Sequence, residues 1–188
     1  MSNTIDLLEA FESADSAPEL SLVRLSENET AVAPFTTSAT QVDLHFCEEP
    51  ELRSYVRCNG KDCVLCKLGK GITQKCLIPV YQPIEDAVGV LAVSPVRTPR
   101  ALLPQLFKFL KEDQPHVLFV TRKGQEYRVE GRPLKAGERD GRDAIAAYQR
   151  RLEAGGVALE EVYPAYSNDE LLAIDSLALR AELKGVAA

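Results

Sequence analysis

The chain has 188 residues, of which 45% are hydrophobic and 27% charged, a composition typical of a folded globular protein. Its formal net charge of −6 at pH 7 argues against a uniformly basic surface for nucleic acid but leaves a local basic patch open. No apolar run reaches the length of a membrane span, and the N-terminus is acidic where a signal peptide is basic. We therefore expect a cytoplasmic protein without a membrane segment.

The charge is unevenly distributed along the chain. Residues 1–30 carry seven acidic residues and one Arg, residues 31–150 have a net charge of +4, and residues 151–188 have a net charge of −4. Acidic ends on a basic centre can bind partners or compete with a polyanion for a groove, although solubility alone is the simpler interpretation.

The first third of the chain predicts little regular structure before residue 42. A short amphipathic helix is expected over residues 4–13, then loops with one strand around residues 20–25. Alternation over residues 42–47 predicts a strand. Its expected buried face consists of Val42, Leu44 and Phe46. Residues 48–72 form a polar loop that contains three of the five cysteines.

A hairpin is predicted next, from strands at residues 75–82 and 87–94 with a polar link between them. One face of the first strand carries Cys76, Ile78 and Val80. Its other face carries Lys75, Leu77, Pro79 and Tyr81.

Thr98-Pro99 predicts the start of a helix, with Thr98 as N-cap, and Pro104 predicts a kink or a second start. Strands at residues 117–121 and 126–130 then flank Arg122-Lys123-Gly124-Gln125, which indicates a second hairpin.

Two helices are expected at the C-terminal end. The first covers residues 140–154 and stops at Gly155-Gly156. The second begins at the capping-box pattern Ser167-x-x-Glu170 and ends near Gly185.

These elements predict an α+β protein that is mainly β, with about five strands. Their order suits an oligonucleotide-binding (OB)-like five-stranded Greek-key barrel with a zinc-binding loop, plus C-terminal helices. We divide the chain into an acidic N-terminal extension (1–40), an OB-like core (41–135) with the zinc loop at 48–72, and a helical C-terminal extension (136–188).

The strongest chemical signal is the spacing His45-x12-Cys58-x4-Cys63-x2-Cys66. Cytoplasmic thiols stay reduced, so clustered cysteines indicate a metal or packing rather than disulfides. A Cys-x-x-Cys pair can place two sulfurs on one ion, and three Cys with one His form a standard structural zinc set. We predict that these four residues bind structural zinc.

The identity of the fourth ligand is open. His45 is a candidate because it is one of only two His residues, although a lone His on a strand is more often a surface residue. Cys47 lies on the same strand face and competes for the role, and Cys76 is a further competitor. A catalytic zinc would need an open position and a general base. The nearest acids are expected to be solvated: Glu48, Glu49 and Glu51.

The segment HFCEEPELRSYVRCNGKDCVLCKLGKGITQKCLIPVY (45–81) resembles the zinc-containing OB-fold proteins that bind single-stranded DNA, the family typified by the helix-destabilising protein of T-even bacteriophages. The resemblance covers about residues 42–130, with a shorter gap between Cys58 and Cys63 than the family has. It implies an OB barrel, a zinc loop held by one His and three Cys, and binding of single-stranded DNA in replication or recombination.

Basic and aromatic residues interleave in the net-positive centre, as in single-strand binders, which combine phosphate contacts with base stacking. For any one of them, packing or an ordinary charged surface is the simpler interpretation. The predicted contacts to single-stranded DNA, or to RNA, are Arg57, Lys67, Lys70, Lys75, Tyr81, Arg122, Lys123, Tyr127 and Arg128.

Two other functions remain open from the sequence. One is a zinc-stabilised protein–protein adaptor in a replication, recombination or defence complex, with a partner or a second copy bound through the apolar last helix. The other is a thiol redox enzyme using Cys63 and Cys66, although the two glycines that follow make a poor helix. We expect no enzymatic activity.

Overall fold

The computed structural model describes residues 20–112, 115–135 and 140–186; the predicted helix over residues 4–13 lies outside these ranges. It is a mixed α+β structure with a seven-stranded antiparallel sheet. The strands are β1 (Thr30–Pro34), β2 (Thr40–Cys47), β3 (Ser54–Arg57), β4 (Ile72–Gln82), β5 (Ala87–Val93), β6 (His116–Lys123) and β7 (Glu126–Pro133). The helices are α1 (Val64–Lys67), α2 (Leu102–Leu110), α3 (Arg142–Glu153), α4 (Asn168–Leu172) and α5 (Asp175–Lys184). Among the described residues, no helix is both long and apolar enough to cross a bilayer.

Strand β4 organises the sheet, whose order is β3-β2-β4-β1-β6-β7 with β5 also paired to β4. Along one edge, β4 pairs first with β2, in the register Thr40↔Leu77, and then with β1, in the register Pro34↔Val80. Strands β1 and β2 therefore act as one long strand bent at residues 35–39. Its first part also pairs with β6, so the bend turns the sheet from β4 towards the β6–β7 hairpin.

The residues just before β1 cover the outer edge of β5. The Val23 amide donates to the Val90 carbonyl at 2.9 Å, and the Val90 amide donates to the Ser21 carbonyl at 2.8 Å. The strand predicted around residues 20–25 is thus reduced to an isolated parallel bridge between Leu22 and Val90. It still satisfies backbone groups that an exposed edge would leave unpaired.

The described residues form three apolar core clusters. The first lies between β1, the two hairpins and α2, and includes Val32, Ile78, Val80, Leu91, Leu106, Leu118 and Val120. The second joins the cysteine-rich segment to α4 and α5, and includes Cys47, Val56, Val64, Leu65, Leu171 and Leu177. The third joins β2, β4 and β5 to α3, and includes Val42, Leu44, Leu77, Val90, Tyr148 and Tyr163.

The hairpins, α3 and the capping box form as predicted, but two helix predictions are wrong in detail. Helix α2 begins at Leu102 with Ala101 as N-cap rather than at Thr98-Pro99. Pro104 therefore falls in the first turn, where its missing amide removes no helical hydrogen bond. The final helix is two helices, because the chain turns at Ala173–Ile174 between α4 and α5.

Within the part of the chain that the structure describes, the sheet has seven strands rather than about five. The two strands that the sequence did not indicate are short: β1 has five residues and β3 has four. In neither strand does the alternation of apolar and polar residues continue long enough to distinguish the strand from a loop. Strand β1 pairs with β6, which is distant in sequence, and β3 pairs with β2 across the turn at residues 48–53.

Candidate metal centre and nucleic-acid interface

The four predicted metal ligands come from three consecutive pieces of the chain. His45 lies on β2, Cys58 follows β3, and Cys63 and Cys66 bracket the start of α1. The Cys58 amide donates to the Asp43 carbonyl at 2.9 Å, which extends the β2–β3 ladder to the first cysteine. A 3₁₀ turn with Gly60 at φ +76° then reverses the chain towards Cys63. We call residues 58–70 the knuckle.

The ligand atoms of these residues all lie within 4.8 Å of one another. Nε2 of His45 is 3.6 Å from Sγ of Cys63 and 3.4 Å from Sγ of Cys66. The sulfurs of Cys58 and Cys66 are 3.6 Å apart. On a tetrahedral zinc ion, two sulfurs lie about 3.8 Å apart and a sulfur and an imidazole nitrogen about 3.5 Å apart. The group can hold one metal ion at its centre.

The imidazole of His45 is oriented for this role. The side chain is fully buried, and Nδ1 lies 3.1 Å from the carbonyl oxygen of Gly71. A proton on Nδ1 donated to that carbonyl leaves the Nε2 lone pair facing Cys63 and Cys66. Metal-bound His residues commonly have their other nitrogen held in this way.

Two of the thiols have pKa values that their surroundings shift in opposite directions. Burial acts to raise the pKa of Cys63, but hydrogen bonds from the backbone of Asn59, Cys66 and Leu65 outweigh it and lower the pKa. Burial, together with the neighbouring sulfurs of Cys58 and Cys63, raises the pKa of Cys66 to about 12. Negative charge is therefore favoured on Cys63 rather than on Cys66. A bound dication would stabilise three thiolates together.

The two competing cysteines lie outside this group. Cys47 is fully buried in the second core cluster, and burial raises the pKa of its thiol. Cys76 is half-buried on β4, opposite Val93. His45 is therefore the fourth member of the group.

One acid near the centre is not solvated as the sequence suggests. Glu49 is buried, and both of its carboxylate oxygens accept from Nζ of Lys70, at 2.8 and 2.9 Å. A guanidinium nitrogen of Arg180 on α5 also donates to Glu49, at 3.1 Å. This ion cluster ties the loop after β2 to the knuckle and to the last helix. It also removes Lys70 from the residues available to nucleic acid, contrary to the prediction.

Tyr81 is a second correction. Its side chain is 1% exposed, and its hydroxyl donates to Asp86 at 2.6 Å. On the face of β4 that was expected to be open to solvent, Leu77 and Tyr81 are buried under α3 and the segment after it, while Lys75 is half-buried. The Tyr81 ring therefore offers no face for base stacking.

Three of the other predicted contacts, Arg122, Lys123 and Tyr127, lie at the tip of the β6–β7 hairpin, and a fourth, Lys75, lies on β4. The guanidinium of Arg122 lies over the Tyr127 ring, 5.8 Å from its centroid. Burial, and after it the charge of Arg122, lowers the pKa of Lys75, whose ammonium donates to Ser94 at 2.9 Å. Lys123 is exposed beside Arg122. We call these four residues the cationic mouth: Lys75, Arg122, Lys123 and Tyr127.

The remaining three predicted contacts lie apart from one another. Arg128 is exposed on the other face of β7 and is paired with Glu130. Lys67 is exposed at the end of α1. Arg57 is half-buried on β3, and within the described residues its Nε atom is buried without a hydrogen-bond partner.

Sequence reasoning missed an exposed aromatic residue. Phe46, expected on a buried face, is 44% exposed, and its ring lies 5.2 Å from that of Tyr55. The alternation with Val42 and Leu44 was correct, but the covering residue Tyr163 reaches only as far as Tyr55, at 6.4 Å. Because Val42 and Leu44 are covered, Phe46 is separated from the cationic mouth and forms no continuous track with it.

Comparison of the chain with protein-family models, curated proteins and solved structures found no match to any of them.

Proposed function

We propose that this protein is a zinc-stabilised, non-enzymatic protein that binds single-stranded nucleic acid at the cationic mouth. Its proposed nucleic acid is single-stranded DNA. The observation that carries the proposal is the grouping of Arg122, Lys123 and Tyr127 at the tip of the β6–β7 hairpin, where Arg122 lies over the Tyr127 ring. Adjacent exposed cations at this tip favour a phosphate, and the neighbouring Tyr ring is suited to a base.

The proposed role of the metal is structural. Three thiolates and one neutral imidazole fill all four positions of a tetrahedral Zn²⁺ site and leave none for a substrate. Bound zinc would hold His45 on β2 to Cys66 on α1, and so fix a polar loop to the sheet. Much of the zinc-binding free energy would then appear as stability of the folded state.

The order of the elements supports an OB-like arrangement for the proposed interface. A bent strand (β1 with β2), a hairpin (β4–β5), a helix (α2) and a second hairpin (β6–β7) follow one another and surround the first core cluster. In OB folds, the loop between the first two strands and the loop between the last two bind oligonucleotides. Their counterparts here are the segment with the knuckle and the tip that carries Arg122 and Lys123.

The direct test is a fluorescence-anisotropy titration of the zinc-loaded full chain with labelled oligo-dT at low and moderate salt. We expect binding that weakens as salt increases, because phosphate contacts release counterions. Arg122→Ala and Lys123→Ala should each weaken binding and reduce the salt slope, and Tyr127→Ala should cost about 1–3 kcal/mol through lost stacking.

Arg150→Ala is the matched control, since Arg150 is an exposed cation on α3 outside the cationic mouth. It should leave affinity and salt slope nearly unchanged. No binding at low salt by a protein with its metal in place would contradict the proposal. Equal losses for Arg150→Ala and Arg122→Ala would contradict the location.

A protein–protein adaptor is the second candidate. It is favoured by two apolar side chains one turn apart on α5: Leu179 is 58% exposed and Leu183 is 79% exposed. Such a pair suits contact with a partner or a second copy in a replication, recombination or defence complex. Sedimentation of the wild type and of the double variant Leu179→Ser/Leu183→Ser tests self-association. A wild-type dimer that is lost in the double variant supports the adaptor role. A monomer in both proteins contradicts contact with a second copy of the chain.

A further inference from the structure

We infer that residues 164–186, which contain α4 and α5, hold the metal-binding knuckle in its shape, and that Asn168 is a positioning residue for the metal centre. We call this segment the clasp. The inference rests on the metal site of the proposed function and adds what controls retention of the ion. It is independent of nucleic-acid binding.

Asn168 contacts the knuckle with both ends of its side-chain amide. Its Oδ1 accepts from the backbone nitrogen of Val64 and from Nδ2 of Asn59, each at 3.1 Å. Its Nδ2 donates to the carbonyl of Asp62 at 3.0 Å. These partners lie on both sides of Cys63 in sequence, so one side chain fixes the backbone that carries this ligand.

The other end of α1 is held as well. Nζ of Lys184, at the end of α5, donates to the carbonyl of Leu68 at 2.6 Å. Helix α1 has only four residues, so most of its terminal amides and carbonyls have no partner within the helix. The clasp supplies one partner at each end of the helix on which Cys66 lies.

Apolar contacts give the clasp a reason to stay in place. Leu171 and Leu177 are fully buried against the knuckle residues Val64 and Leu65. Cys58, Cys63 and Cys66 belong to the same cluster, so the surface on which the clasp packs includes the ligands themselves. If the ion leaves and the knuckle loses its shape, this packing and both hydrogen-bonded ends are lost together.

The coupling must act in both directions. A contact that favours the metal-bound knuckle slows metal loss, and by linkage the metal stabilises the docked clasp to the same extent. Loss of such outer contacts typically lowers metal affinity by 10–100-fold. Metal loss would also expose the apolar side of α4 and α5, so the clasp is a metal-dependent conformational element.

The test measures transfer of zinc from the full chain to a colorimetric chelator. We expect Asn168→Ala to release zinc about tenfold faster than the wild type. Ser167→Ala is the matched control: Ser167 caps the same helix α4 by accepting from the Glu170 amide at 3.2 Å, and none of its described hydrogen bonds reaches the knuckle. Its release rate should stay within about twofold of the wild type. Equal acceleration in both variants would overturn the role of Asn168, because a weakened helix would then be a sufficient cause.

Hydrogen exchange of the wild type with and without chelator provides the reciprocal measurement. Metal removal should increase exchange in residues 168–184 and leave the β6–β7 hairpin protected. Unchanged protection of the clasp would overturn the inference while leaving the zinc site intact. A purified chain with no stoichiometric metal would overturn the proposed function itself, so the two failures are distinguishable.

Discussion

Gly141 lies directly against the ring of Tyr81: a Cβ atom placed on Gly141 would be 2.5 Å from Cδ2 of Tyr81. Gly141 is also the N-cap of α3 and has φ +67°, a conformation that only glycine adopts without strain. The start of α3 can therefore approach β4 closely enough to cover Tyr81. This contact explains why an aromatic residue on a strand, expected to meet nucleic acid, is part of the core.

Gly141→Ala should consequently destabilise the fold by about 2–4 kcal/mol, from overpacking and left-handed strain together. Gly155→Ala is the matched control, since Gly155 has φ +70° but no atom within 4 Å of the position that a Cβ would take, and it should cost only about 1–2 kcal/mol. Urea unfolding of both variants measures the difference. Equal free energies of unfolding would contradict the close contact with Tyr81.

Variants of two tyrosines should distinguish a residue that stacks on a base from one that packs in the core. Tyr81→Phe keeps the buried ring and removes only the hydroxyl bonded to Asp86, so oligo-dT affinity should not change. Tyr127→Ala removes the ring beneath Arg122 and should weaken oligo-dT binding. Anisotropy measures the affinities, and circular dichroism confirms that both variants are folded. A larger loss of affinity for Tyr81→Phe than for Tyr127→Ala would contradict the assignment of Tyr127 to the interface and of Tyr81 to the core.

The buried carboxylate of Glu49 should make stability depend on pH. Burial acts to raise the pKa of Glu49, but the hydrogen bond and charge of Lys70 and the charge of Arg180 outweigh it and lower the pKa. The resulting stability is fully present above the unfolded pKa of about 4.3 and is lost as pH falls through the lower folded value. Glu49→Gln should cost about 3–5 kcal/mol at pH 7, because it leaves Lys70 buried and unpaired.

Glu126→Gln is the control for that prediction. The pair Arg100–Glu126, at 2.7 Å, is exposed on both sides, so its loss should cost less than about 1 kcal/mol. Thermal unfolding from pH 7 to pH 3 follows both variants beside the wild type. The gap between Glu49→Gln and wild type should narrow as pH falls, and a constant gap would show that the charge of Glu49 does not stabilise the fold.

The knuckle was predictable because its ligands are local. Cys58, Cys63 and Cys66 fall within nine residues, and their spacing alone places the sulfurs near one point. The clasp was not predictable, because Asn168 and Arg180 lie more than a hundred residues from the groups they contact. Polar residues on short helices carry no pattern that indicates a distant partner.

The interface residues were predicted less well for a related reason. Charge and aromatic content identify candidates, but burial selects among them. Lys70 is taken by Glu49, and Tyr81 is covered by α3, both through contacts outside the local sequence. Arg122 and Tyr127 were predictable as a pair because a hairpin places them directly opposite each other.

The lysine of the cationic mouth should give nucleic-acid binding a pH dependence. Burial and the charge of Arg122 lower the pKa of Lys75, so its ammonium loses its proton at a lower pH than that of an ordinary lysine. A phosphate beside it would favour the charged form, so oligo-dT affinity should fall as pH rises through the lowered pKa. Lys75→Met, which keeps the length of the side chain, should bind more weakly at pH 7 and lose this part of the pH dependence. If oligo-dT affinity depends on pH in the same way for Lys75→Met and for the wild type, the proposed contact between Lys75 and phosphate is contradicted.

The most direct test of the account is elemental analysis of the purified full chain, beside the single variants His45→Ala and Cys76→Ser. We predict one zinc ion per chain in the wild type and in Cys76→Ser, because Cys76 lies outside the group of four ligands. We predict a clear loss of zinc in His45→Ala. A wild-type chain without bound metal, or a His45→Ala variant that keeps its full complement, would contradict the metal centre on which the account depends.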